Sequence, residues 1–413
     1  MDDILDKEKR NSYHRDHAGD QRTPREEAMN QWPQIHLRDV MQHCLDSEPV
    51  DASRTYSFAG VYSFGRGLFV RGDQHGSETT YKTFNRLHSD DFVISQPKAW
   101  EGAVARITDE FEGMFLSPVF PTFRANKSRV SPRFLEWYLK RPSVWHEMHL
   151  KAKGMGARRE SVSADSFLSL KIPLPPLPEQ LEVVEWIDDL ATRVSEANSE
   201  AESAVKRLDN VLMSAFHEIT EGAHRNSMND VAPLVRRQTT IDPAAEYPEL
   251  GVRCFGKGTF QKPSLNGLDV GTKKLYAIEP GDLVFSNVFA WEGAIAVAKN
   301  EDKGRFGSHR FITCVPNPGV ATAVFLNFYF QTPEGIEQIR DASPGGAGRN
   351  RTLGLKKLEK IKVPVPRYEL QLWFDQLYEK VEAAKTTMMQ AVEERNALLP
   401  SVLNQVFGGG EVE

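Results

Sequence analysis

The 413-residue sequence holds only three cysteines, Cys44, Cys254 and Cys314, and none forms a Cys-x-x-Cys pair. Neither a disulfide framework nor a cysteine zinc ribbon can be built from them, which leaves structural thiols. Long apolar runs are also missing. The most apolar stretch, 321–330, is too short to cross a bilayer, and the N-terminus lacks the apolar core of a secretory signal. A cytoplasmic chain with no membrane partner is expected. The eleven histidines show no His-Glu-x-x-His or His-x-His spacing, so a metal site is not expected. No dinucleotide fingerprint, nucleophile elbow or Asn/Asp-Pro-Pro-Tyr/Phe tetrapeptide of amino-methyltransferases is present. Residues 251–257 have P-loop spacing through Lys257, yet Gly258 stands where a Mg²⁺-binding Ser or Thr is required. A glycine-rich turn at a strand end is the better reading. The chain is expected to catalyse nothing alone.

What the sequence does have is a second copy of itself. Gly60-Val61 and Phe64-Gly65-Arg66-Gly67 return 191 positions later as Gly251-Val252 and Phe255-Gly256-Lys257-Gly258. Ala99-Trp100-Glu101-Gly102-Ala103 returns as Ala290-Trp291-Glu292-Gly293-Ala294, and Pro173, Pro175 and Gln180 return as Pro364, Pro366 and Gln371. A period this long is a whole domain plus a connector, not a solenoid repeat. The chain is therefore two-armed, which suits a target that also has two parts.

The net charge of −6 argues against a polyanionic partner until it is sorted by segment. Residues 51–172 carry 18 Lys and Arg against 13 Asp and Glu, and residues 231–366 carry 18 against 13 again. Segment 173–230 has 4 against 12, and both ends of the chain are acidic. Two basic bodies joined by acidic connectors form the electrostatic plan of a molecule that grips a polyanion at two places.

Residues 1–31 are polar and read as a tail. From Trp32 short β-rich runs begin, with strands expected at 91–95 and 281–286 and helices at 130–139 and 320–330. Each body is thus α+β, with a mixed or antiparallel sheet and helices on one side. A proline-punctuated exit, 172–178 or 363–366, follows each body, and proline's missing amide makes it an edge segment rather than a central strand. Each exit leads into a long helix. The first has a seam at Val184, Ile187, Ala191, Val194, Ala201, Val205, Leu208, Leu212, Ala215 and Ile219, interrupted only by Asn198. The second has Leu370, Phe374, Leu377, Val381, Ala384, Met388, Ala391, Leu398 and Val402, interrupted by Arg395. Steps of three and four on two helices of similar length predict a coiled coil, a rod of roughly 60 Å at 1.5 Å per residue. The seam Asn reads as a tolerated polar gap or a register pin.

The segment KIPLPPLPEQLEVVEWID, its weaker second copy KVPVPRYELQLWFDQL, the two AWEGA turns and the duplicated layout resemble the specificity (S) subunit of a type I restriction-modification system. The resemblance covers about 32–407. It implies two tandem pseudo-repeat α/β target recognition domains, 32–172 and 226–363, each reading one half of a bipartite sequence in double-stranded DNA. It implies that 173–225 holds a proline-rich exit and central long helix and 364–413 a C-terminal long helix, and that the helices, about 178–219 and 368–407, form an antiparallel coiled coil that sets the gap and docks two adenine methyltransferase (M) subunits. Motor-nuclease (R) subunits would join, and S-adenosylmethionine, ATP and Mg²⁺ would sit on those partners rather than on this chain. A type IIB-like specificity subunit and a non-DNA two-domain protein scaffold are the alternatives. The second exit departs from the pattern, with Glu369-Leu370-Gln371 where the first has Pro178-Glu179-Gln180.

Two glycine-rich loops combine flexibility with cations suited to phosphate contact: Lys151, Lys153, Arg158 and Arg159 in the first body, Arg349 and Arg351 in the second. Further candidates for DNA contact are Arg66, Arg71, Lys82, Lys127, Lys257, Lys262, Lys273, Lys274 and Arg310. The Trp-Glu-Gly turns read as scaffold, because a feature identical in two domains cannot make them read different bases. Positions that differ between the copies are the better candidates for base reading.

Overall fold

The computed structural model describes residues 32–152, 160–271, 273–345 and 351–408, and it divides into two compact units. One comprises residues 1–200 with 391–413, the other residues 201–390. The polar segment 1–31 lies outside the described residues.

In the first unit, a four-stranded antiparallel sheet runs in the order Met41–Cys44, Thr122–Ala125, Phe92–Ile94, Val104–Arg106. A five-stranded sheet runs Ser47–Pro49, Thr83–Arg86, Phe115–Leu116, Thr55–Val61, Leu68–His75. Its pairing is antiparallel except where Phe58 meets Phe115 in parallel. Among the described residues the exit strand Lys171–Pro173 pairs only with Gln34–His36, an edge position that suits Pro173.

The second unit repeats the plan. One sheet runs Leu234–Val235, Phe311–Cys314, Leu283–Ser286, Ile295–Val297. The other runs Thr259–Asn266, Glu246–Val252, Arg305–Ser308, Leu275–Ile278, again with one parallel contact, Glu249 to Phe306. Its exit, Lys362–Val365, pairs with His224–Ser227. The α+β expectation and the internal repeat are both met, except that strand Ser47–Pro49 has no counterpart strand among the described residues of the second unit.

The short helices begin later than apolar spacing suggests, at Pro132 and Ala323 instead of 130 and 320. The cause is capping. Ser131 and Thr322 take extended N-cap conformations, Pro132 fits the first turn because it needs no amide partner there, and the Thr322 hydroxyl accepts from the Phe325 amide at 3.2 Å.

Two long helices follow the exits, Leu177–Thr220 and Tyr368–Phe407. Within each unit their segments lie antiparallel. In the first unit Val183 and Ile187 share a core with Leu403, Val406 and Phe407, while further along Asn198 meets Asn396. In the second, Leu212 and Phe216 share a core with Phe374 and Val381, and Asp209 pairs with Lys385 at 2.8 Å. The two interruptions of the seams bond to each other: Arg395 Nε donates to Asn198 Oδ1 at 2.9 Å, and Asn198 Nδ2 donates to Asn396 Oδ1 at 2.8 Å. Asn198 is therefore paired rather than a bare polar gap. One seam position is corrected. Leu398 is 47% exposed, and Leu399 packs on the core in its place with Leu403 and Val406. Past Arg395 the steps are four then three, so Leu399 and Val402 pack on the core and Leu398 faces out.

Candidate nucleic-acid interface

The long hairpin of each body ends in a strained tip. Phe64 and Phe255 adopt left-handed backbone, φ 65° and 61°, a conformation disfavoured for a bulky side chain. Both rings are nevertheless exposed, 62% and 74%. The AWEG turn holds the tip. Phe64 and Gly65 amides donate to the carbonyls of Glu101 and Gly102 at 2.8 and 2.9 Å, and Phe255 and Gly256 do the same to Glu292 and Gly293 at 2.8 and 3.0 Å. Gly102 and Gly293 sit at φ 78° and 77°, and a Cβ on Gly102 would lie 2.5 Å from the Trp145 ring. Each Trp anchors its own turn by donating to the carbonyl three residues back, Pro97 or Val288, at 3.1 Å. The shared Trp, Glu and Gly are thus a frame for the hairpin tip.

Cations decorate this frame at matched positions. Arg66, Arg71 and Lys82 correspond to Lys257, Lys262 and Lys273 at the repeat offset. None of the six makes an ion pair with a described carboxylate. The Arg66 guanidinium stacks over Tyr62 at 4.8 Å, and Lys262 Nζ lies 5.8 Å from the centre of the Phe311 ring. Arg351 stacks over Trp291 at 5.2 Å. Lys274 and Arg310 are exposed, and Lys151 is half-buried at the end of helix Pro142–Leu150. Lys127 differs: it lies 2.7 Å from Asp90, and it holds that carboxyl below its usual range together with Arg106. Lys153, Arg158, Arg159 and Arg349 lie outside the described residues.

In the second body several of these groups meet. Lys262, Lys273 and Arg310 line an open cleft of about 450 Å³ with Phe260, Phe289 and Phe311. Backbone bonds place the Arg351 segment beside it: Asn287 N donates to Arg310 O at 2.8 Å, and Leu353 N donates to Asn287 O at 2.7 Å. Cations and aromatic faces side by side can contact both phosphates and bases.

The frame has its own internal charge pairs, differently sourced in each copy. Asp91 receives Arg124 through two bonds, at 2.9 and 2.7 Å, while its counterpart Asp282 receives Arg237. In the first body Glu136 lies among Arg106, Arg133 and Lys140. Burial pushes its carboxyl up, but the surrounding cations outweigh that and hold it at about 2. In the second body Asn327 occupies that position. There, burial pushes Asp375 up to about 6 despite a 3.0 Å bond from the Thr322 hydroxyl. Burial likewise raises the thiols of Cys44 to about 11 and Cys314 to about 12, so neither is a thiolate at neutral pH. Among the described residues no cluster of His, Cys, Asp and Glu could hold a metal ion, and no helix is long and apolar enough to cross a membrane.

The exit motif also resolves. Gln180 is fully buried: its Oε1 accepts from Ser131 N at 2.8 Å, and its Nε2 donates to Arg129 O at 3.0 Å and Pro175 O at 2.8 Å. Gln371 makes the same three bonds to Thr322 N, Val320 O and Pro366 O, at 3.1, 2.9 and 2.9 Å. Glu179 accepts from Trp32 Nε1 at 2.9 Å. The second copy has Ala223 in place of that Trp, so Leu370 at the Glu position leaves no donor unmet. The divergent second exit thus has a local packing reason.

No protein-family model matches the sequence, and no curated protein does. Solved structures do match. A chain described under the structural basis of complex assembly and conformational transition of the type I R-M system aligns at a TM-score of 0.66 and 18% identity, covering 92% of this chain and 98% of that one. The HsdS subunit from Thermoanaerobacter tengcongensis aligns at 0.53 and 19%, covering 92% and 97%. This chain has the HsdS fold. The likeness spans both bodies and both long helices, as the S-subunit resemblance implies.

Sequence reading missed the exposed Phe64 and Phe255 and the cleft residues Phe289 and His309. The missed signal was available. Applying the rule that differing positions read bases to 118–119 against 309–310 would have selected Pro118-Val119 and His309-Arg310.

Proposed function

We propose that this chain is the non-catalytic specificity subunit of a type I restriction-modification complex. Each body reads one half of a bipartite site in double-stranded DNA. The paired long helices fix the gap and dock two adenine methyltransferase subunits, and motor-nuclease subunits join them. S-adenosylmethionine, ATP and Mg²⁺ belong to those partners, and the complex works in the cytoplasm.

The observation that carries this reading is the set of matched cations, Arg66 with Lys257, Arg71 with Lys262 and Lys82 with Lys273, none paired with a described carboxylate, of which Lys262 and Lys273 line an aromatic cleft. A protein that spends its lysines and arginines internally, as Lys127 does, has none to offer phosphate. The HsdS fold over 92% of the chain supports the same assignment.

Salt titration of DNA binding tests it. Displacing condensed counterions makes affinity fall linearly in log–log form, so six phosphate contacts predict a loss of about 10³-fold between 50 and 200 mM salt. Replacing Arg71, Lys82, Lys262 and Lys273 by alanine should flatten the slope by about 0.9 per residue that contacts phosphate. A salt-independent affinity, or no DNA binding with a folded chain, would favour a protein scaffold instead.

A further inference from the structure

The two bodies share a frame and differ at its tips, and that contrast singles out individual residues. Around the second-body cleft the common parts are Gly251 with Phe260, Phe311, Lys262 and Lys273. Their first-body counterparts are Gly60 with Phe69, Phe120, Arg71 and Lys82. Even the packing device is repeated: a Cβ on Gly60 or Gly251 would lie 2.3 Å from the ring of Phe69 or Phe260, so glycine lets that ring lie across the strand in both. Frame residues present apolar walls and positive charge, which position a duplex without distinguishing its sequence.

Six lining positions break the match, at 249, 265, 288, 289, 309 and 310, among them the turn at 309–310 and its neighbour Phe289. The turn before strand Phe311–Cys314 is His309-Arg310, whereas the turn before strand Thr122–Ala125 is Pro118-Val119. Beside it, Phe289 stands where the first body has Lys98, and that lysine is tied to Glu101 at 2.6 Å. The contrast in chemistry is large. Val119 is 42% exposed and can offer only a methyl surface. Arg310 is exposed at a turn tip, and its side chain makes no hydrogen bond or ion pair to any described residue, so its full fork of donors is available. An arginine with no internal partner, presented from a two-residue turn at a cleft rim, is suited to the two acceptors on the major-groove edge of guanine. A valine at the matched tip cannot engage them and suits a thymine methyl.

We propose that Arg310 is a specificity-determining residue that reads a guanine in the half-site of the second body, and that position 119 plays the matched part in the first. The assignment rests on the DNA-recognition reading above. The flanking Lys262 and Lys273 hold the backbone while the turn tip addresses the base.

The test compares the native chain with Arg310→Val and Val119→Arg, each assembled with its adenine methyltransferase. Methylation is mapped genome-wide, and binding to duplexes carrying all four bases at each position is measured at low salt. The native complex comes first, because the absence of any motif there would defeat the DNA-recognition reading itself. With a native motif in hand, Arg310→Val should lose preference for guanine at one position of one half-site, by roughly ten- to a hundredfold, with the other half-site unchanged. Val119→Arg should alter one position in the opposite half-site. An unchanged motif for either variant would overturn the proposal. So would an equal loss of binding by Arg310→Val on all duplexes, which would make Arg310 a phosphate contact.

Discussion

Phe407→Ala should destabilise the first unit by about 3–5 kcal/mol and leave the second untouched, and Phe216→Ala should do the reverse. Both are ends of long helices at matching positions, and each ring is buried in an aromatic cluster. Phe407 lies edge-on to Trp32, Phe134 and Tyr138 at 5.2–6.4 Å. Phe216 meets Phe325, Phe328 and Phe374 at 5.0–5.5 Å. Truncation to alanine removes the transfer energy of a ring and leaves a cavity in a core that cannot collapse onto it. The effect at 407 is the more telling, because that ring is 375 positions from Trp32 in sequence yet completes the same core. Buried Arg141 reinforces the junction by donating to the Phe407 carbonyl at 3.1 Å. Hydrogen exchange resolved to peptides of each body, with calorimetry on the whole chain, reads the outcome. Equal loss of protection in both bodies from either substitution would contradict it.

Gln180→Leu and Gln371→Leu should each cost about 3 kcal/mol or more in the unit that carries them. Leucine fills similar volume but strands one backbone amide and two carbonyls, and a buried backbone group without its partner costs about 1–3 kcal/mol. Not all three are fully sealed from solvent, since the bond to Arg129 O is only partly buried, which keeps the expectation near the lower end of the sum. The neighbouring Glu179→Ala removes a single acceptor from Trp32 and should cost about 1 kcal/mol. Urea unfolding midpoints compare the three variants. A Gln180→Leu midpoint no lower than that of Glu179→Ala would show that the glutamine is not the fastener between exit, helix and body.

This glutamine also shows what the sequence can and cannot reveal. The repeat made Gln180 and Gln371 visible as a pair, because each performs the same three-bond task. The chain's two-domain α+β plan was legible for the same reason: duplication exposes what both copies need. The AWEG turn was legible as scaffold but not as the cradle of a strained hairpin tip, since backbone bonds such as Phe64 N to Glu101 O join segments 37 residues apart and leave no side-chain signature. Helix starts were misplaced where apolar spacing ran past the caps at Ser131 and Thr322. Leu398 was misassigned because the step from Arg395 was counted as three, whereas Leu399, at a step of four, packs on the core. Pairing of Asn198 with Arg395 was invisible to a reading that took each helix separately. The cations were found by type, but only geometry separates Lys127, tied to Asp90, from Lys262 and Lys273 on an open cleft.

The central claim is that each body reads its own half of one DNA site. Its most direct test is to express the chain with its adenine methyltransferase in a host without adenine methylation and to map N6-methyladenine by single-molecule sequencing. Two short specific sequences separated by a constant unread gap are the expected result. A single contiguous motif, or no motif from a complex shown to assemble, would contradict it.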